Sequence, residues 1–311
     1  MTRIRVGLDV GGTKIDAVAV SPEGEIAGRL RRPTGWGEAA VVASIVDAVS
    51  ALAAETGFDL SDVASAGVGI PGLVDADSGR VLHAVNLGVE SLDLAARAGE
   101  RLGVPFRVEN DVKAAALGAA VLSGAEGAMA YLNLGTGVAA GIVVDGRIWR
   151  GSRGIAGEVG HLSVDPNGRL CGCGQRGCIE TFCGGGALAR AWGRPGDLPV
   201  RDLLVAADAG DPDALLLETG LYQGAAAGVR VLVLSADVAR VIIGGGLTAL
   251  GARLEDGIRA ALLAGAEASP FMRSLHLDER IELLPAGSPA AAFGAAMVGA
   301  SIPSKEIVSH G

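Results

Sequence analysis

Between Gly157 and Glu180 the chain reads GEVGHLSVDPNGRLCGCGQRGCIE, a short segment that gathers three of the four cysteines, His161, Glu158 and Glu180. Three thiolates and an imidazole, from Cys171, Cys173, Cys178 and His161, are the ligand set of a closed tetrahedral structural zinc site. The N-terminal residues MTRIRVGLDVGG run into a strand-like pattern with no apolar signal core, so a cytoplasmic location is expected. In a reducing compartment clustered cysteines point to metal before disulfide, with disulfides or free thiols as the alternatives. Cys183, just past the cluster, either packs as a small hydrophobe or displaces His161 as fourth ligand. Glu158 and Glu180 are poor neighbours for buried thiolates unless they serve another group.

Other chemistry-bearing residues fall at turns. Leu8-Asp9-Val10-Gly11-Gly12-Thr13 and Asn133-Leu134-Gly135-Thr136-Gly137 each place small or hydroxyl residues where backbone N–H groups can approach an anion. One such turn reads equally well as an ordinary hairpin; two, each opening one half of the chain, suggest an internal structural repeat. The Gly244-Gly245-Gly246 run is by itself a strand-to-helix turn. In Glu109-Asn110-Asp111 the last two residues are helix-capping types.

Alternating strands and helices must hold these turns. The β-branched runs Ile4 to Val10 and Ile15 to Val20 flank Gly11–Lys14 as a hairpin. Val42, Ile45, Val46, Val49 and Leu52 mark one face of a helix from Ala39 to Ala54. Val63 to Ile70, stopped by Pro71-Gly72, and Val104 to Val108 are buried-strand candidates, the second followed by a helix from about Val112 with Asn110 or Asp111 as cap. The second half predicts strands at Ala128 to Leu134 and Val138 to Val144, then the cysteine-rich excursion, then helices from about Ala187 to Ser235. Strands at Arg240 to Ile243 and Ile281 to Pro285 follow. Ser288-Pro289 opens a closing helix through Ala300, and the polar tail from Ile302 is expected to fray.

A chain of 311 residues is long enough for two domains, and with 50% apolar and 20% charged residues it is globular. Its net charge of -9 argues against nucleic acid or an anionic membrane as partner. The longest uncharged run, Gly127 to Val144, is interrupted by glycines and suits a pair of buried strands better than a membrane helix.

Six stretches carry a family resemblance: LDVGGTKI (Leu8 to Ile15), VEND (Val108 to Asp111), LGTGVAAGIV (Leu134 to Val143), GEVGH (Gly157 to His161), CGCGQRGCIE (Cys171 to Glu180) and VIIGGGL (Val241 to Leu247). In this order, over nearly the whole chain, they resemble the ROK family of sugar kinases and repressors. The resemblance implies an α/β, actin-like ATPase (ribonuclease H-like) fold, with two α/β domains around a cleft. Residues 1–111 plus 288–311 would form a small domain with the C-terminal helix folded back, and 112–287 a large domain carrying the zinc motif. It further implies ATP-dependent phosphorylation of a hexose hydroxyl, glucose to glucose 6-phosphate being the leading case, by a homodimer. The repressor branch carries an added N-terminal helix-turn-helix domain; this chain, starting at the first catalytic strand, is expected to lack it.

By that resemblance Asp111 is the general base that takes the proton of the attacking hydroxyl. Asn110, Glu158, His161, Glu180 and Gly72 correspond to sugar contacts, since carboxylates and amides can each engage two adjacent hydroxyls. His161 would give one ring nitrogen to Zn²⁺ and the other to the sugar, the metal acting as a brace. Asp9 would hold Mg²⁺ through water. Gly11, Gly12, Thr13 and Lys14 correspond to the first phosphate loop, Thr136 and Gly137 to the second, and Gly245 and Gly246 to the turn against adenosine. The alternatives are an N-acetylglucosamine or N-acetylmannosamine kinase, or a catalytically silent sugar-sensing protein; a purely structural zinc protein would leave the Glu and Asn set idle. Two positions depart from the family pattern. Ala139-Ala140 stands where glycines are common, narrowing the donor's approach, and Lys113 is expected to point to solvent. The loop His83 to Glu90 is expected to help shape the sugar pocket.

Overall fold

The computed structural model describes residues 3–300, so the expected fraying of the tail from Ile302 lies outside the described residues. The chain divides into two units, one running through Ser123 and resuming at Pro289, the other spanning Gly124–Ser288.

In the first unit β1 (Ile4–Val10) and β2 (Lys14–Val20) form the predicted hairpin, with Arg5 opposite Val20, Val10 opposite Ile15, and Gly11 N–H donating to Lys14 O at 2.9 Å across the turn. β3 (Ile26–Pro33) extends it along β2; its sequence, IAGRLRRP, lacks a strand-like apolar pattern because it is a largely exposed edge carrying arginines. α1 (Glu38–Thr56) buries Val42, Ile45, Val49 and Leu52, and stops at Gly57, whose φ of 82° lets its N–H reach Ala53 O. By length and composition α1 could cross a bilayer, yet those four side chains belong to the unit's core. β4 (Val63–Ile70) runs parallel to β1.

A separate antiparallel sheet of β5 (Leu73–Asp75), β6 (Arg80–Ala84) and β7 (Val89–Asp93) follows, so the predicted loop His83 to Glu90 is the end of β6, a single 3₁₀ turn and the start of β7. After α2 (Leu94–Leu102), β8 (Phe106–Asn110) begins past Pro105, which has no N–H for a ladder, and so starts later than the apolar run from Val104 suggests. α3 (Asp111–Ser123) follows directly, and the main sheet has the order β3-β2-β1-β4-β8.

The second unit repeats this plan. β9 (Ala128–Leu134), β10 (Val138–Val144) and β11 (Arg147–Ile148) are joined, after the cysteine-rich excursion, by α4 (Ile179–Cys183), α5 (Gly185–Trp192), α6 (Pro199–Asp208) and α7 (Pro212–Ala236). β12 (Arg240–Gly244), α8 (Ala252–Ala266), α9 (Pro270–Ser274) and β13 (Ile281–Leu283) complete it. α7 starts where Asp211 accepts the N–H groups of Asp213 and Ala214, both at 3.1 Å, with Pro212 in its first turn. The sheet order β11-β10-β9-β12-β13 matches the first unit, and in both the outer pairs are antiparallel on one side of the central strand and parallel on the other. The repeat suggested by the two turns is thus present in the topology.

The chain returns to the first unit as α10 (Ala290–Ala300), whose sequence AAAFGAAMVGA presents small residues to β1, β4 and α3. The approach is so close that a side-chain carbon at Gly67 would overlap Ala295 O, and one at Gly294 would overlap Ala114 O of α3. Because α3 packs on α10, the division of the chain falls after Ser123 and not at Asp111.

Candidate active site

In the first unit three segments converge. Asn110 ends β8, and its Oδ1 accepts the N–H groups of Val112 (3.1 Å) and Lys113 (3.2 Å), capping α3. Its Nδ2 donates to Asp111 Oδ1 at 3.0 Å and to Gly72 O at 3.4 Å, tying the expected base and two expected sugar contacts into one cluster. Gly72 has a φ of 104°, and a side-chain carbon there would come within 2.7 Å of Leu82 O, so the close turn onto β6 requires glycine.

Asp9 sits near the end of β1, opposite Asp16 of β2. Burial, followed by the charges of Asp111 and Asp16, pushes its carboxyl up to about 7, with Lys14 opposing. Asp9 and Asp111 therefore lie close enough for their charges to interact. Asp16 is kept ionised despite burial: Arg29 grips both its oxygens (2.9 and 2.6 Å) and Arg31 adds a third contact at 3.1 Å, holding its carboxyl below the usual range. Gly12, Thr13 and Lys14 are exposed, and Gly12 faces Asn86 O of the β6–β7 turn, 2.9 Å from where a side-chain carbon would sit. The segment His83 to Glu90 thus lies against the Gly11–Lys14 turn.

Lys113 is only 4% exposed, which corrects the expectation that it points to solvent. It falls on a helix flanked by β4 and α10, where residues from Val112 to Ala120 are all buried.

In the second unit the expected sugar contacts surround β10. The glycines of GEVGH press onto it: Gly157 O accepts the Ala140 N–H at 2.7 Å, and side-chain carbons at Gly157 or Gly160 would overlap the carbonyls of Ala140 and Val138. This seats the 3₁₀ turn Val159–His161, with Glu158 immediately before it. Glu180, in the first turn of α4, reaches the start of the same strand, where its Oε2 accepts the Val138 N–H at 3.0 Å. A side-chain carbon at Gly137 would come 2.6 Å from that oxygen.

The turn carrying Thr136 and Gly137 is clasped by α5, whose Gly185 and Gly186 N–H groups donate to Gly135 O (2.8 Å) and Thr136 O (2.9 Å). Gly245, at a φ of 91°, packs on Leu134 O, so Gly245 and Gly246 adjoin that turn as well. Of the two alanines that depart from the family pattern, Ala140 is buried against Gly157 and Ala139 is half-buried.

The ligand atoms of His161, Cys171, Cys173 and Cys178 all lie within 4.8 Å of one another. Cys173 Sγ and Cys178 Sγ are 3.6 Å apart, and Cys171 Sγ is 3.8 Å from His161 Nδ1. A tetrahedral ion with bonds of about 2.3 Å to sulfur would set its ligands about 3.8 Å apart. The separation is far beyond a disulfide bond of about 2.05 Å, and all four cysteines are free thiols. The donor set and spacing fit zinc, with Nδ1 toward the cluster and Nε2 left for another partner. Backbone and side-chain N–H groups of Gln175 pull the Cys173 thiol down to about 6, whereas burial beside Cys173 pushes Cys178 up to about 12. Cys183 is apart from the cluster, fully buried and bonded to Ile179 O, so it packs as a small hydrophobe.

The sequence pattern missed Asp16 and its two arginines, although Asp16 is the only charged residue in the otherwise buried run Ile15–Val20. It also missed the support that Gly185 and Gly186 give the second turn, for which Gly184-Gly185-Gly186 was the available signal.

A family model described as the ROK family matches residues 5–299. A glucokinase of Halalkalibacterium halodurans is 33% identical over 267 residues, covering 79% of this chain and 81% of that protein. An N-acetylmannosamine kinase of Haemophilus influenzae is 34% identical over 248 residues, 77% of this chain and 79% of its own. The crystal structure of a ROK family glucokinase from Streptomyces griseus in complex with glucose and AMPPNP superposes with a TM-score of 0.76 at 31% identity, covering 96% of this chain and 99% of the other. The fold and these similarities define an α/β protein of the actin-like ATPase class. The chain belongs to the ROK family.

Proposed function

We propose that this protein is an ATP-dependent hexose kinase whose acceptor is glucose. The observation that supports it most strongly is the convergence, in the first unit, of Asp111 and its Asn110 bond with Asp9 at the foot of the Gly11–Lys14 turn. Phosphoryl transfer to a sugar needs a carboxylate for the hydroxyl proton beside a place for phosphate and its cation.

Asp111 accepts the proton of the attacking hydroxyl as the bond to phosphorus forms. Within the first unit Asn110 and Gly72 are sugar contacts, and within the second unit Glu158, His161 and Glu180 are. Backbone N–H groups of Gly11, Gly12 and Thr13, with Lys14, and those of Thr136 and Gly137, take the phosphates of ATP, while Gly245 and Gly246 leave room for adenosine. Asp9 is the carboxylate for hydrated Mg²⁺, which when bound neutralises charge on the transferring phosphoryl group. His161, Cys171, Cys173 and Cys178 hold a structural zinc that fixes the His161 ring and the turn leading to Glu180.

The similarity to glucokinases supports glucose as acceptor, and that to an N-acetylmannosamine kinase supports the alternative of an N-acetylhexosamine. A cytoplasmic homodimer without nucleic-acid or membrane partners accords with the net charge of -9 and the family. Coupled ADP-release assays with glucose, N-acetylglucosamine and N-acetylmannosamine separate the readings. Glucose is expected to give the highest kcat/KM; a preference for either acetamido sugar would favour the alternative, and ATP turnover with none of them would leave only a silent sensor.

A further inference from the structure

Beside the second phosphate turn the second unit contains a cavity of about 220 Å³, lined by Arg169, Cys171, Gly172, Glu180, Thr181 and Arg190 among others. Two arginines and one glutamate are among the residues lining it, and Glu180 already turns an oxygen to the Val138 N–H.

Arg169 is held in place. It donates to Thr181 O and lies over the Phe182 ring, 5.4 Å from its centre, yet among the described residues its buried Nε has no hydrogen-bond partner. A buried, unpartnered N–H costs free energy.

Arg190, one turn along α5 from Gly186, is exposed, and among the described residues its guanidinium has neither hydrogen-bond nor ion-pair partner. Its terminal nitrogen lies 3.5 Å from where a side-chain carbon would sit on Gly186, the residue whose N–H holds Thr136 O. It therefore folds back toward the second phosphate turn.

We propose that this cavity is a phosphate subsite, in which Arg169 and Arg190 bind one tetrahedral phosphate group. Guanidinium forks match phosphate oxygens in pairs, and the site is pre-organised on the Arg169 side by stacking and on the Arg190 side by the helix that clasps Thr136. The group could be free inorganic phosphate or one unit of an oligophosphate chain extending from the second phosphate turn. The recognition chemistry is the same for both.

Isothermal titration of the full chain with inorganic phosphate, and separately with tripolyphosphate, at low ionic strength and without nucleotide, tests this. Saturable binding of at least one is expected. Arg190→Gln should weaken it roughly 10- to 100-fold, the effect of losing a charge-assisted bidentate contact. Arg169→Lys, which keeps the charge and loses the fork, should also weaken it, by about 10-fold. Arg201→Gln, removing a charge from the exposed face of α6, should leave it unchanged. Tripolyphosphate binding at least about 10-fold tighter than phosphate would assign the site to a chain; equal affinities would assign it to the free ion. No saturable binding by the wild type, affinity unchanged in either Arg190→Gln or Arg169→Lys, or an equal loss in Arg201→Gln would each overturn the proposal. Circular dichroism of each variant checks that it is folded.

Discussion

Asp9→Asn should make the metal-free protein more stable at alkaline pH while abolishing efficient use of Mg-ATP. The Asp9 carboxyl rises from an ordinary value of 3.8 to about 7 through burial and then through its neighbours Asp111 and Asp16. A carboxyl whose folded pKa is raised contributes stability that is complete below its unfolded pKa and is lost as the pH climbs through the folded one. A rise of about 3 in pKa, at 1.36 kcal/mol each, amounts to on the order of 4 kcal/mol of stability forgone at pH 8. Water reaching the exposed turn beside it lowers that to about 2 kcal/mol. The same two pKa values leave less than about half of the effect at pH 5. Urea unfolding of wild type and Asp9→Asn without Mg²⁺, at pH 5 and pH 8, reads the difference directly, because ionisations common to both cancel. The variant's advantage should grow by about 1–2 kcal/mol or more between the two pH values. An advantage independent of pH, or a variant less stable than wild type at pH 8, would refute the electrostatic account of this turn.

Two further outcomes follow from the packing and the cysteine cluster. Elemental analysis of purified protein should find about one zinc per chain from its four-ligand set, and Cys173→Ser should lose the metal and lower the thermal midpoint; a metal-free wild type with full activity would contradict the brace. Gly67→Ala forces a methyl group into Ala295 O of α10, and should cost about 1–3 kcal/mol in thermal or urea unfolding through overpacking; an unchanged midpoint would mean that α10 is free to move away.

Much of this was legible in the sequence wherever local chemistry and packing agree. The hairpin around Gly11–Lys14, the strands at Val63–Ile70, Ala128–Leu134 and Val138–Val144, and the Asn110 cap each follow from residues that are both locally suited and buried as a unit. The elements that escaped detection are those whose pattern is set by their neighbours. β3 is an arginine-bearing edge, and the short strands β5 to β7 have too few residues for a period to register. The boundary after α3 depends on α10, far away in sequence, pressing on Gly118 and Ala114. Lys113 misled for a similar reason: a lysine on a helix is normally solvated, but this helix is enclosed on its neighbouring faces. The cysteine and histidine cluster was the most legible feature, since its side chains lie within 18 residues of His161 in the sequence and fold locally.

The central claim is that Asp111 deprotonates a sugar hydroxyl during transfer from ATP. The most direct measurement is glucose-dependent ADP release by wild type and Asp111→Asn, together with glucose binding to each by calorimetry. The variant should bind glucose with similar affinity and turn over roughly 10²- to 10⁴-fold more slowly, as expected for removal of a general base. Near wild-type turnover in a folded Asp111→Asn, or no sugar-dependent ADP release by the wild type, would contradict it.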